Sequence, residues 1–297
     1  MTIIPHTCLA VLLSCVALAA AEPARTLEAA HPGLSAGALR LAVPTELPAG
    51  TLVVSGDLTL TAADLDKQKT EVAPEMAKRW DLAAFMVLEN QVTVALLERA
   101  AAAAGVSGTG EAAIRAYLTA TVKDVAVSDA EVATFHAANP DLCTAPLEQM
   151  RKDLSAYLAD GKKQEAVKTL IADLGKNRPI AINATWVAAQ AKLAADNPVD
   201  RARASGSPAL IDFGADGCRP CDMMTPVLAN LKKDFAGKLI VDFVHVRENP
   251  ILAQRYGVQS IPVQIIFDKA GAEVWRHTGF IPQAQLEAEL AKHGVAR

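Results

Sequence analysis

The feature that most narrows what this chain can fold into is Gly217-Cys218-Arg219-Pro220-Cys221. It follows an apolar stretch, Ala209 to Phe213, with the texture of a strand. It opens a segment with helical periodicity that runs to about Phe235. Two cysteines three positions apart at a helix start can close a small disulfide ring. The sulfur of the first sits at the helix N-terminus, where unpaired backbone N–H groups and the helix dipole favour negative charge. The thiolate is the reactive form of cysteine, and such positions lower its pKa from ~8.5 to between ~3.5 and ~7.5. Arg219, beside the first cysteine, pushes the same way. Cys218 is therefore the candidate nucleophile, and Cys221 the candidate for resolving the mixed disulfide that Cys218 forms. A structural disulfide and half of a zinc site are the alternative readings. Zinc would want a second pair of cysteines or histidines. His245 and His277 are scattered, and the third cysteine, Cys143, lies in another domain, so neither metal nor cofactor is expected.

Around this motif, strand-like and helix-like segments alternate. Asn197-Pro198 starts a short helix that Gly206 closes. Strands are expected at Ala209 to Phe213, Leu239 to Val246, Val263 to Phe267 and Glu273 to His277. Helices are expected from Cys218 to about Phe235, around Ile251 to Tyr256, and from Pro282 to His293. A β-α-β-α-β-β-α order in about a hundred residues describes a compact α/β domain with a mixed sheet, assigned to residues 196–297.

The chain has 297 residues, enough for a second domain. Half its residues are apolar and a fifth charged, as in a globular protein, and a net charge of −4 argues against a nucleic-acid binder. Residues 1–21 read as a cleaved secretory signal: Ile3 to Ala21 carries no Lys, Arg, Asp or Glu and ends in Ala19-Ala20-Ala21. The start lacks the usual Lys or Arg, and an uncleaved anchor is the rival reading, since the stretch is nearly long enough to span a bilayer. Cleavage would remove Cys8 and Cys15 and place the protein in a periplasm or another extracytoplasmic space. Residues 22–50, rich in Ala, Pro and Gly, read as a linker. Residues 51–195 read as a mostly helical domain. It opens with short strands at Leu52-Val53-Val54 and Leu58-Thr59-Leu60 and is punctuated by capping pairs Thr61/Asp64 and Ser128/Glu131. One helix is expected from Pro74 to Ala104, and another from Pro146 with Gly175 just past its end. Ile180-Ala181-Ile182 is expected to return and pair with Leu52 to Val54.

The segment Ile211-Asp212-Phe213-Gly214-Ala215-Asp216-Gly217-Cys218-Arg219-Pro220-Cys221, with Met223-Met224-Thr225-Pro226, resembles the strand, active site and kinked helix of the thioredoxin family. Tyr256-Gly257-Val258-Gln259-Ser260-Ile261-Pro262 resembles that family's cis-proline segment, and Gly279 falls where the family has a glycine beside the active site. The resemblance implies that Pro262 is cis and sets the backbone of Ile261 against Cys218 and an extended substrate. It implies that Asp212 is a buried acid that moves the proton of the resolving cysteine, and that Arg219 and Pro220 support the site. The alternatives are a strand-start proline at 262 and a partly exposed acid at 212. Several positions depart from the family pattern: Gly214 and Gly217 replace tryptophans, Phe243 stands where many members carry a lysine, and Asp222 replaces a basic residue.

The front domain is similar, less specifically, to the N-terminal chaperone domain of SurA-type periplasmic parvulin proteins. Val53-Val54-Ser55-Gly56-Asp57 with Thr61 to Leu65, Leu96-Leu97-Glu98-Arg99-Ala100, and Val127 to Val132 carry that likeness. The combined expectation is an extracytoplasmic thiol–disulfide oxidoreductase acting on disulfide-containing or unfolded proteins and re-reduced by a membrane donor of the CcdA/DsbD type. A periplasmic chaperone or peptide-binding protein with an accessory redox domain is the alternative. Cys143 is expected to be a packed thiol, with a regulatory disulfide as the minority reading.

Overall fold

Strands gather into two four-stranded sheets among the described residues, which in this computed structural model are 25–123, 125–140 and 142–296. The expected signal segment, with Cys8 and Cys15, lies outside them.

The front part begins with α1 (Leu27–Ala30), β1 (Val43–Thr45) and the hairpin β2 (Thr51–Ser55) and β3 (Leu58–Thr61). Helices α2 (Ala62–Lys67), α3 (Pro74–Lys78), α4 (Trp80–Ala103), α5 (Gly110–Thr121), α6 (Asp129–Ala138) and α7 (Leu147–Lys176) follow, then β4 (Ala181–Asn183) and α8 (Ala184–Ala194). The sheet order is β1-β4-β2-β3, and β4 returns antiparallel to β2 through Val53 and Ile182, the pairing expected from sequence. Both expected capping boxes form: Thr61 with Asp64, and Ser128 with Glu131. The core gathers on α4, where Phe85, Leu88, Val92 and Leu96 are buried and Phe85 stacks on Trp186 of α8 at 6.2 Å between ring centroids.

Three expectations about this part need correction, and one helix was not foreseen. Residues 22–50 are not a structureless linker, because the described portion from Arg25 folds into the core. Leu27, Leu34, Leu39 and Ala42 are buried, and β1 pairs in parallel with β4. The single helix expected from Pro74 is two, because Arg79, at φ −114° and ψ 37°, leaves helical geometry between α3 and α4. Gly175 does not follow the end of α7 but lies within it. A Cβ there would come 2.3 Å from the Ala38 carbonyl oxygen, so the glycine lets α7 cross the 38–41 turn at backbone contact. Helix α8, capped by the Asn183 side chain on the Trp186 N–H at 2.9 Å, was not anticipated.

The C-terminal part follows the expected order: α9 (Pro198–Ala204), β5 (Ala209–Gly214), α10 (Arg219–Asp234), β6 (Ile240–His245), α11 (Pro250–Arg255), β7 (Val263–Phe267), β8 (Glu273–Thr278) and α12 (Gln283–Lys292). Its sheet runs β6-β5-β7-β8, with β5 parallel to β6 and antiparallel to β7, and β8 antiparallel to β7. Every residue of β5 is buried, as a central strand covered on both faces requires. One apolar cluster lies on each side of the sheet: Leu210, Met224, Leu231 and Leu286 on one, Ile211, Phe213, Tyr256 and Phe267 on the other.

The two parts are stitched by two arginines, Arg255 buried and Arg203 half-buried. Arg255 donates to the carbonyl oxygens of Gly33 and Ala194 and pairs with Asp200 at 2.8 Å. Arg203 donates to the Pro32 carbonyl at 2.9 Å and to the Tyr256 hydroxyl at 3.0 Å. The fork of donors on each guanidinium satisfies several acceptors at once, which is how a buried cation is tolerated. Helix α7 joins two clusters within the front part: its first half, through Leu154, packs against Val132 and Cys143, while Ile171 and Leu174 near its end join the core around α4.

Candidate functional site

Cys218 is the N-cap of α10, in extended conformation, and its sulfur accepts the Cys221 N–H at 3.4 Å. Gly217, just before it, has φ +70°, a left-handed turn that a side chain would strain. Arg219 and Pro220 form the first turn, where the missing proline N–H removes no helical hydrogen bond. The two sulfurs are joined as a disulfide, with Cα atoms 5.2 Å apart. The pair is asymmetric: Cys218 is half-buried, while Cys221 is only 4% exposed. Attack from outside is therefore open to the first sulfur and closed to the second.

The Ile261–Pro262 peptide is cis, and the Ile261 carbonyl oxygen lies 3.9 Å from Cys218 Sγ. Gly279, at φ +104°, donates its N–H to the Pro262 carbonyl at 2.8 Å and so ties the start of α12's loop to the proline. Pro226 lies inside α10. The residues singled out in sequence at 218–221, 261–262 and 279 thus meet around one half-buried sulfur.

Asp212 lies on β5 beneath this cluster. Side chains alternate along a strand, so Asp212 and Gly214 share a face. A Cβ on Gly214 would lie 3.4 Å from Cys221 Cβ, which identifies that face as the one toward the resolving cysteine. The same Cβ would lie 2.8 Å from the Phe243 ring, so the glycine makes room for the aromatic residue that pairs with Asp212 across to β6. Asp212 is wholly buried, not a partly exposed strand residue. Burial pushes its carboxyl up to about 6, against the opposing effect of a 2.7 Å hydrogen bond that Gln264 Nε2 donates to Oδ1. Asp212 Oδ2 and Gln264 Oε1 have no partner among the described residues. Unpaired buried acceptors are costly, and a proton on Asp212 would supply a donor.

Sequence reasoning passed over Gln264, whose signal was present: a lone amide in the otherwise apolar strand Val263 to Phe267. Tyr157 of α7, whose hydroxyl stands over Gly279, was also missed and carries no local pattern; His245, weighed in sequence only as a metal ligand, lies close to Asp216 at 3.4 Å. Cys143 is buried away from this site against Val132 and Leu154, and burial pushes its thiol up. Among the described residues no three His, Cys, Asp or Glu side chains converge as metal ligands would.

A helix-capping cysteine joined to a buried second cysteine, on this mixed sheet and beside a cis-proline, defines a thiol–disulfide oxidoreductase domain. The thioredoxin family model matches residues 191–292. Thioredoxin 1 of Chlorobaculum tepidum is 42% identical over 93 residues, which span 31% of this chain and 91% of that relative. Thioredoxin 1 of a Nostoc species is 40% identical over 89 residues, 30% of this chain and 82% of the relative. Thioredoxin of Staphylococcus aureus is 44% identical over 84 residues, 28% of this chain and 80% of the relative. The chain belongs to the thioredoxin family, through its C-terminal domain, and its activity is thiol–disulfide oxidoreduction.

Proposed function

We propose that this protein is an extracytoplasmic oxidoreductase that reduces disulfides in protein substrates through Cys218 and Cys221. The observation that carries the reading is the half-buried Cys218 sulfur at the start of α10, bonded to a buried Cys221 and facing the Ile261 carbonyl. In the reduced state the Cys218 thiolate attacks one sulfur of a substrate disulfide. That bond breaks, and the departing substrate sulfur takes up a proton. Cys221 then passes its proton toward the Asp212 carboxylate and attacks Cys218, which frees the second substrate thiol. Two electrons and two protons reach the substrate, and the protein is left as the disulfide.

Asp212 suits the proton step because burial brings its carboxyl to about 6, within reach of neutral pH. Arg219 and Pro220 hold the turn, while Ile261, Pro262 and Gly279 present backbone to an extended substrate. A membrane donor of the CcdA/DsbD type re-reduces the pair. The apolar, charge-free stretch up to Ala21 supports an exported protein with a cleaved leader, and the SurA-like texture of the front domain fits the same compartment. The test is reduction of insulin by the full chain with dithiothreitol as electron source. Catalysis abolished in Cys218→Ser is expected; an equal rate in that variant defeats the proposal. N-terminal sequencing of the protein recovered from an exporting bacterial host checks the leader, with a start after Ala21 expected.

A further inference from the structure

Helix α7 of the front domain stands over the loops that surround Cys218. Tyr157 and Gln164 are seven residues apart, nearly two full turns, so they share a face about 10.5 Å long. The Tyr157 hydroxyl lies 2.6 Å from where a Gly279 Cβ would be, and Gln164 Oε1 accepts a hydrogen bond from Ser260 Oγ at 3.3 Å. Ser260 directly precedes Ile261, and Gly279 is hydrogen-bonded to Pro262. The helix therefore touches both flanks of the segment whose carbonyl faces the reactive sulfur. Two contacts of the α6–α7 region hold it in place: Gln285 Nε2 donates to the Ala138 carbonyl at 3.3 Å, and Leu142 packs against the redox-domain core.

We infer that α7 is the outer wall of the substrate groove, and that Tyr157 and Gln164 admit an extended segment of a disulfide-bearing chain while turning away disulfides set in a folded surface. This rests on the exchange reading above. An extended chain advances ~3.3 Å per residue, so about three residues run the length between Tyr157 and Gln164. A folded domain approaching Cys218 meets a helix ~10 Å thick first. The Tyr157 ring rests on Phe135, with centroids 5.6 Å apart, and is 46% exposed. Its hydroxyl makes no hydrogen bond among the described residues and is free to bond a peptide backbone, which an extended segment offers and a folded surface does not.

The test measures second-order rate constants of the pre-reduced full chain with three oxidants. These are 5,5′-dithiobis(2-nitrobenzoate), a ten-residue peptide whose single cysteine carries the nitrothiobenzoate leaving group, and native insulin. In Tyr157→Ala the insulin rate relative to the small disulfide is expected to rise threefold or more, and the relative peptide rate to fall threefold or more. Gln164→Ala is expected to move both ratios the same way, and carries the test if the tyrosine variant does not fold. Tyr157→Phe keeps the wall, so the relative insulin rate stays at the wild-type value, while the peptide ratio drops. Ratios unchanged in both alanine variants overturn the inference and leave the exchange chemistry standing. No reaction of the wild-type chain with the small disulfide would overturn the exchange reading, and this inference with it.

Discussion

Gln264 Nε2 donates a 2.7 Å hydrogen bond to Asp212 Oδ1 between adjacent strands, with both side chains wholly buried. Among the described residues a neutral amide is thus the side-chain donor to a carboxyl enclosed below the redox pair. The bond favours the ionised carboxylate, while burial favours the acid and prevails. Replacing Gln264 by Leu removes the favouring partner, so the Asp212 carboxyl should titrate at higher pH. The pH profile of insulin reduction should shift to the alkaline side, and the rate at pH 7 should fall several-fold. Carbon-13 titration of Asp212 gives the direct check: a midpoint at or below the wild-type value contradicts the assignment.

Asp212 also links stability to pH. Burial holds its carboxyl at about 6 in the folded protein, above the ordinary 3.8 of an exposed aspartate. Between those values the native state keeps a proton that the unfolded chain has released, so stability falls as pH rises through this window. Above it the cost is constant, on the order of 3 kcal/mol at most. Asp212→Asn should therefore be more stable than wild type by ~2 kcal/mol at pH 8 and nearly equal to it at pH 3.5. Urea unfolding of the oxidised protein at the two pH values measures this, and a variant less stable at pH 8 sinks the account. The same variant should resolve mixed disulfides more slowly.

Two glycines of α7 should respond to alanine with opposite signs. A Cβ on Gly161 meets nothing within 4 Å, so Gly161→Ala should stabilise by ~0.5–1 kcal/mol through the unfolded chain's lost freedom. A Cβ on Gly175 meets the Ala38 carbonyl oxygen at 2.3 Å, which is backbone and cannot swing aside. Gly175→Ala should destabilise by ~1–3 kcal/mol, the usual cost of overpacking. Thermal melts of the two variants decide the matter.

Arg255 satisfies two carbonyl groups and Asp200 from a buried position. Arg255→Met leaves Asp200 with the longer 3.7 Å ion pair to Arg203 beside its hydrogen bonds from Tyr256 and Asn197, and strands the Gly33 carbonyl. Losing one partner of a buried pair costs ~3–5 kcal/mol, which corresponds to roughly 6–20 °C in Tm at ~2–4 °C per kcal/mol. A drop of less than 3 °C would show that the seam between the two halves relaxes around the vacancy.

The redox half was legible because its signals are local. A motif between a strand and a helix, prolines at fixed offsets and alternating apolar runs each carry their meaning within a few residues. The partnership of Asp212 and Gln264 was not, since their separation of 52 positions is closed only by the register of β5 with β7. The front segment misled for a physical reason. Pro32, Pro44 and Gly50 look like coil, yet three leucines, at 27, 34 and 39, supply enough buried surface to fix it, and Arg255 and Arg203 cap its carbonyls from far along the chain. Gly175 looked like a stop signal because a glycine at a helix end and a glycine at a helix crossing are the same letter. In the front domain capping pairs and apolar periodicity marked where most helices would fall, while the placement of α7 over the redox loops had no signal in sequence.

Helix α7 buries only Leu154 and Gly175 fully along its thirty residues, and its apolar anchors sit toward the two ends. The stretch between, from Tyr157 to Lys168, is lightly invested in the core yet lies beside the reactive loops. Residues there can be exchanged with little risk to folding, while each exchange alters what a visiting chain encounters. Selection, or an engineer, could retune client preference on this span without touching a cysteine.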